Sequence, residues 1–341
     1  MIPQFDPEFI QQIKALLGQR RKVCITTHHR PDGDAMGSSL ALYNYLKINN
    51  HDVKVVVPSS YPDFLDWLPG NDEVVNSDKQ PAASKTLLEE AEVLFCLDFN
   101  AISRVEKLAP PVAASKAVKI LIDHHLDPEA FCSYTFSFPT SCATCELMYY
   151  FLKAIGGNQV LNESTATCLY TGIMTDTGSF RFASMTADTH RIIAELMTAG
   201  AANFTIHEAI YDNFSEQRTR FLGYCLSEKL VVLPQYRTAY ISINHAELEK
   251  FNHQTGDTEG IVNFALGIKN IRLAGFFCEK DGLIKISFRS KNGFSVKSLA
   301  ANHFNGGGHT NAAGGRSFDT MEATINKFVG LLKQMEKELN S

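Results

Sequence analysis

Three short apolar runs, each stopping abruptly at a charged group, constrain this chain more than any other feature. Val23–Thr27 leads into His28-His29-Arg30-Pro31-Asp32-Gly33-Asp34, Val93–Leu97 (VLFCL) into Asp98, and Val118–Ile122 (VKILI) into Asp123-His124-His125. Continuous apolar runs of this length suit parallel strands buried on both faces. Val53–Val57 reads as another strand, and Ala35–Asn49 has helical spacing. The alternation predicts an α/β fold, with an N-terminal domain built on a doubly wound, mainly parallel sheet. Ligands of such sheets bind outside the carboxyl ends of the strands. The charged stops are therefore expected at one edge. Asp176-Thr177-Gly178 ends the apolar segment Leu169–Met174 and is grouped with them as a fourth strand end.

Helical signals dominate from Cys142 to Leu230, with one helix expected over Ser215–Leu230 before Pro234. Beyond it, Arg237–Ile243, Arg272–Glu279 and Leu283–Arg289 read as strands, with a hairpin turn at Lys280-Asp281-Gly282. Helices are expected at Ser295–Phe304 and Met321–Leu339. A chain of 341 residues has room for two cores. The expected division is a metal-binding catalytic domain over 1–212, a helical linker over 213–234, and a smaller α/β substrate-binding domain over 235–341.

Each charged stop has an ordinary reading. Asp32 or Asp34 would serve as a helix cap, Asp98 as a turn residue, and His124 and His125 as hydrogen-bonded rim histidines. Their joint occurrence favours one site. Asp32, Asp34, Asp98 and Asp176 would all be ionised near neutral pH if unperturbed, and four converging carboxylates repel unless cations offset them. Two divalent ions match that charge. Mixed carboxylate and imidazole donors suit Mn²⁺, Fe²⁺, Zn²⁺ or Co²⁺ better than Ca²⁺, and a paired-metal centre is a common device of phosphoryl chemistry.

The net charge of −5 argues against a protein that coats long duplex nucleic acid. It hides a basic segment: Lys269, Arg272, Lys280, Lys285, Arg289, Lys291, Lys297 and Arg316 face only Glu279 and Asp281 between Ile261 and Arg316. Within it, Gly306-Gly307-Gly308 can present backbone N–H groups to a phosphate, with His309 directly after and Arg289 in the same lobe. The plainer reading is a glycine turn before a packed helix containing Ala312-Ala313. Arg104 and Arg181 suit phosphate contacts and structural ion pairs equally. The eight cysteines are scattered, and Cys142-Ala143-Thr144-Cys145 is a lone CxxC, a weak metal or redox signal. No apolar run is long enough for a membrane helix, and the N-terminus lacks signal-peptide features. A cytoplasmic location is expected.

The motifs His28-x-x-Pro31-Asp32-Gly33-Asp34-Ala35-x-Gly37-Ser38, Asp98, Asp123-His124-His125 and Asp176-Thr177-Gly178 together resemble the DHH phosphoesterases. Gly306-Gly307-Gly308-His309-Thr310-Asn311-Ala312-Ala313-Gly314 resembles the signature of that family's associated C-terminal domain. Overall size and the short linker resemble the nano-RNases that also act as 3′-phosphoadenosine-5′-phosphate (pAp) phosphatases. The resemblance implies a first metal on His28 and Asp32, a second on Asp34, His124 and Asp176, and Asp98 bridging both. It also implies His125 facing the substrate phosphate and Asp123 behind it, which with Asp98 form the catalytic set. Arg289, Gly306, Gly307, Gly308, His309 and Arg104 are the expected substrate contacts, and His29 is expected to be no ligand. The cofactors implied are two divalent ions, with Mn²⁺ expected. The expected partners are short single-stranded RNA or nucleotide phosphoesters, without a membrane; a homodimer is left open. Competing activities are those of an exopolyphosphatase or inorganic pyrophosphatase and of a cyclic-dinucleotide phosphodiesterase.

Overall fold

The computed structural model describes residues 3–156, 160–254 and 256–340, and the chain divides after Asn213 into two compact units. In the first unit, β1 (Lys22–Thr27), β2 (Asp52–Val57), β3 (Val74–Asn76), β4 (Val93–Leu97), β5 (Val118–Asp123) and β6 (Tyr134–Ser137) form one sheet. Every pairing is parallel, in the order β3-β2-β1-β4-β5-β6. This is the expected doubly wound sheet. Its order reverses between β1 and β4, which opens a crevice at their carboxyl ends.

The apolar runs are continuous because both faces are covered. Val93, Phe95 and Leu97 of β4 enter one core, shared with helices Gly33–Ile48 and Thr144–Gly156. Leu94 and Cys96 enter the core on the opposite face. The short edge strands β3 and β6 were not legible in the sequence, since three or four residues carry no usable period.

Leu169–Met174 is not a strand. It lies inside the helix Glu163–Asp176, capped by the Asn162 side chain, which accepts a bond from Thr165 N. An apolar run of six residues does not separate buried helix from buried strand. Here every residue from Thr165 to Met174 is buried, because this helix runs closely against helix Gly33–Ile48.

The second unit has a mixed sheet of β7 (Leu230–Leu233), β8 (Thr238–Ile243), β9 (Leu273–Lys280), β10 (Leu283–Ser290), β11 (Gly307–Gly308) and β12 (Ala312–Ser317). The order is β11-β12-β10-β9-β8-β7; β8 and β9 pair in parallel and the other neighbours antiparallel. Asp281 and Gly282 turn the β9–β10 hairpin with φ of 58° and 76°, matching the twist of the flanking strands. Residues 213–234 hold helix Glu216–Glu228 and β7, and Phe221 and Cys225 of that helix lie in a core of this unit. The stretch expected as one helix over Met321–Leu339 breaks at Met335 into Met321–Gln334 and Glu336–Asn340.

Along β10, Ile284, Ile286 and Phe288 are buried in one core while Lys285, Ser287 and Arg289 take the other face, half-buried. Their ladder partners on β12 are Arg316, Gly314 and Ala312. Cross-strand partners share a face, so basic side chains alternate there with small residues. Among the described residues no helix is long and apolar enough to cross a membrane.

Candidate metal centre

The chain ends of three central strands deliver the first donors. His28 follows β1, Asp98 follows β4, and Asp123 closes β5 just before His124 and His125. Two more acids come from the helix Gly33–Ile48. Asp32 caps it, its Oδ1 accepting the N–H groups of Asp34 and Ala35 at 3.1 Å each. The capping role and membership of the cluster thus hold together. Gly33 is the first helical residue, and a Cβ there would sit 2.3 Å from Thr175 Oγ1. It is needed for close helix packing, which brings Asp34 toward Asp176 at the end of the facing helix.

The donors form two groups sharing one residue. In the first, His28 Nε2 lies 3.4 Å from Asp98 Oδ2 and 3.9 Å from Asp32 Oδ1. In the second, His124 Nε2 lies 3.6 Å from Asp98 Oδ1, 3.7 Å from Asp176 Oδ2 and 3.9 Å from Asp34 Oδ2. Asp98 turns one oxygen to each imidazole. Its φ of 63° is unusual for a residue other than glycine, a strain of the kind that gathers at functional sites. The remaining nitrogens face carbonyls: His28 Nδ1 is 3.0 Å from His29 O and His124 Nδ1 is 3.3 Å from Ser141 O. An Nδ1–H donated to a carbonyl leaves Nε2 with its lone pair, the arrangement of metal-ligating histidines.

His125 is held differently. Its Nδ1 lies 2.7 Å from Asp123 Oδ1, and its ring stands at 77° to that of His124. Asp123 is fully buried and its Oδ2 has no partner among the described residues.

The titration behaviour records an unbalanced charge. Burial pushes Asp34 well above the usual carboxylate range, and the charges of Asp98 and Asp176 add to the effect. Loss of water likewise raises Asp176 to about 6, against the pull of His124. Burial also opposes ionisation of Asp98, but His28, His125 and His124 overcome it and hold that acid below its usual range. The same pairings act on the bases. Burial disfavours the cationic form of both, yet Asp32 and Asp98 raise His28 to about 10, and Asp176, Asp98 and Asp34 raise His124 to about 9. Protons on imidazoles here do the work that a cation would do. Carboxylate oxygens and imidazole nitrogens in two sets of three, with their ligand atoms within 4.8 Å of one another, fit divalent metal ions.

Other expected residues lie outside this centre. His29 turns aside, with Nδ1 3.3 Å from Glu106. Arg104 is exposed on the segment Ile102–Leu108, and its carbonyl accepts the N–H of His29 at 2.8 Å. Arg181 donates through Nε to Gly178 O. Cys142 and Cys145 are buried free thiols whose ionisation burial opposes.

In the second unit, Gly306-Gly307-Gly308 belongs to a tight β-hairpin, with His309 N donating to Ala312 O at 2.7 Å. Ala312 and Ala313 are strand residues, not the start of a helix. A Cβ at Gly306 would meet Gly314 O at 2.0 Å, and one at Gly308 would meet Ala312 O at 2.6 Å, whereas one at Gly307 would meet nothing. Hairpin sterics thus account for two of the three glycines. The eight basic residues do not form one patch. Arg272 is buried and ties Asn292, Glu338 and Leu339 carbonyls, Lys285 pairs with Asp281, and Lys291 donates to Leu266 O. Arg289 donates to Phe288 O from the half-buried face of β10.

Sequence reading passed over Ser141, Thr144 and Glu146. Thr144 Oγ1 donates to Asp98 Oδ1 at 2.9 Å, and the N–H groups of Thr144 and Cys145 bond the two oxygens of Asp34 at 2.6 and 2.8 Å. The only sequence signal nearby was the CxxC spacing, which drew attention to the wrong side chains.

Residues 22–173 match the DHH family, N-terminal domain, and residues 236–339 match the DHHA1 domain. An exopolyphosphatase-related protein from Bacteroides fragilis has a similar structure, with a TM-score of 0.94, 40% identity and 99% of each chain covered. The bifunctional oligoribonuclease and PAP phosphatase NrnA of Thermus thermophilus is 29% identical, over 86% of this chain and 83% of its own. NrnA of Bacillus subtilis is 28% identical, over 88% and 91%. Motifs, fold and these likenesses agree, and the chain belongs to the DHH family of phosphoesterases, in the branch that carries a DHHA1 domain.

Proposed function

We propose that this protein is a two-metal phosphoesterase, using Mn²⁺, that hydrolyses short oligoribonucleotides to mononucleotides and pAp to AMP. The observation that carries the reading is the pair of three-residue donor sets, His28-Asp32-Asp98 and Asp34-His124-Asp176, with Asp98 turning one oxygen to the imidazole of each. Ions held by His28, Asp32 and Asp98, and by Asp34, His124 and Asp176, would activate the attacking water and offset phosphoryl charge. The chain's own groups supply the rest. Asp123 accepts the Nδ1–H of His125 and fixes its ring, and in the imidazolium form Nε2, directed away, donates to a phosphoryl oxygen or to the leaving group. Arg289 and the His309 imidazole offer positive charge and an N–H group to a substrate phosphate. The small basic face of β10 and β12 and the net charge of −5 favour short substrates over long strands. The names borne by the Thermus and Bacillus relatives support this substrate class.

A second reading is exopolyphosphatase activity, favoured by the name of the Bacteroides fragilis protein. The deciding assay offers a diribonucleotide, a five-residue RNA, pAp, pyrophosphate, polyphosphate and cyclic di-AMP with Mn²⁺. Cleavage of the linear RNAs and pAp at rates above the others is the expected result. Turnover of pyrophosphate or polyphosphate alone overturns it, as does ring opening of the cyclic dinucleotide at a rate matching that of the linear dimer.

A further inference from the structure

The start of helix Thr144–Gly156 does something unusual with its orphan donors. The first N–H groups of a helix normally find a side chain of their own N-terminus or water. Here those of Thr144 and Cys145 go to Asp34, 110 and 111 residues earlier in the chain. The Thr144 hydroxyl goes to Asp98, 46 residues earlier. Thr144 is fully buried, so these partners are exclusive of water. One residue thereby holds a carboxylate from each donor set: Asp34, which stands with His124 and Asp176, and Asp98, which turns its other oxygen to His28.

The turn before the helix is itself pinned. Glu146, buried, accepts bonds from Ser141 Oγ, Cys142 N at 3.0 Å and Thr189 Oγ1 at 2.7 Å. Ser141 then offers its carbonyl to His124 Nδ1. The segment Ser141–Glu146 thus touches Asp34, Asp98 and His124 but contributes no ligand of its own.

We infer that Thr144 is a positioning residue that couples the two ion sites, by holding Asp34 through its backbone and Asp98 through its hydroxyl. The inference rests on the two-metal reading above. A carboxylate that accepts a fixed hydrogen bond keeps lone pairs free for an ion while its orientation is set in advance, and loss of such a partner typically weakens metal binding about 10–100-fold. Because the two bonds come from different atoms of Thr144, they separate by substitution. Thr144→Val keeps the backbone bond to Asp34 and deletes the hydroxyl bond to Asp98. Thr144→Ser keeps both.

The test is Mn²⁺ titration of the chelator-stripped full chain by calorimetry, with the spin-coupled signature of paired Mn²⁺ followed by electron paramagnetic resonance. No substrate is present, so the outcome is independent of which phosphoester is cleaved. Thr144→Val is expected to weaken one of two sites about tenfold or more, to leave the other nearer its wild-type affinity, and to lower the paired signal at limiting metal. Thr144→Ser is expected to restore both. Unchanged affinities in Thr144→Val overturn the inference, as does an equal loss at both sites together with a lowered thermal midpoint, which marks a merely structural role. A serine variant that behaves like valine overturns it too. If the wild-type chain binds no pair of ions, the two-metal proposal falls first and carries this inference with it.

Discussion

The candidate metal centre and the glycine hairpin are built in opposite ways. The centre gathers His28, Asp32, Asp34, Asp98, His124 and Asp176 from separate strand and helix ends, and most of these groups are buried. The hairpin is one continuous stretch, Gly306 to Ala313, of which half is exposed and only Ala313 buried. In the centre each polar group answers to several others in a dry environment, so a change in one charge is felt by all. In the hairpin a change matters where backbone approaches backbone and hardly elsewhere. Long-range assembly concentrates charge, whereas local assembly leaves each position nearly independent of the others.

The sharpest way to break that contrast is Asp98→Asn. The shared carboxylate loses its charge while its size is kept, and a fall of about 10³-fold or more in kcat/KM is expected on every phosphoester tested. Circular dichroism should show an intact fold. Retention of more than about a tenth of the activity would remove Asp98 from the shared position.

A second, smaller effect concerns pH. His28 at about 10 and His124 at about 9 stand above the ordinary imidazole value of about 6.5. Groups raised in this way stabilise the metal-free fold fully below about pH 6.5, and that contribution fades as pH climbs through 9 and 10. The thermal midpoint of chelator-treated protein should therefore drop across that window. Ion binding requires both imidazoles neutral, so each apparent Mn²⁺ affinity should rise about tenfold per pH unit from about pH 6.5 to 8. Calorimetric titrations at three pH values check this, and a flat affinity would mean that the protons lie elsewhere.

The smallest effects belong to the hairpin. Gly308→Ala forces a Cβ to 2.6 Å from Ala312 O at a φ of 140°, and a loss of about 1–3 kcal/mol of stability is expected by denaturant titration. Gly307→Ala meets nothing and should leave stability within about 0.5 kcal/mol. If the loop backbone approaches substrate phosphate, KM for the diribonucleotide should still rise a few-fold in Gly307→Ala. Equal stability losses in the two variants would blur the distinction between the glycines.

The legibility of this protein differed with the range of the forces involved. Strands β1, β2, β4, β5, β8, β9 and β10 were readable because an apolar run with an abrupt stop is a local pattern. Strands β3, β6, β7, β11 and β12 escaped notice: the first four are short, and β12 reads Ala-Ala-Gly-Gly-Arg-Ser, which has no apolar alternation. The Asp176 segment was placed in the right neighbourhood but on the wrong kind of element, because burial on all sides erases the helical period.

Taken by itself, the order of residues determined the parallel sheet, the edge at which acids and histidines collect, and the need for cations to offset them. Those follow from strand chemistry and from the cost of gathering like charges. Only the folded chain decided that Gly33 serves helix packing, that two of the three hairpin glycines are steric necessities, and that Thr144 spans both donor sets. Each of these depends on atoms brought together from distant positions or across a turn, and such contacts leave no period along the chain to be read.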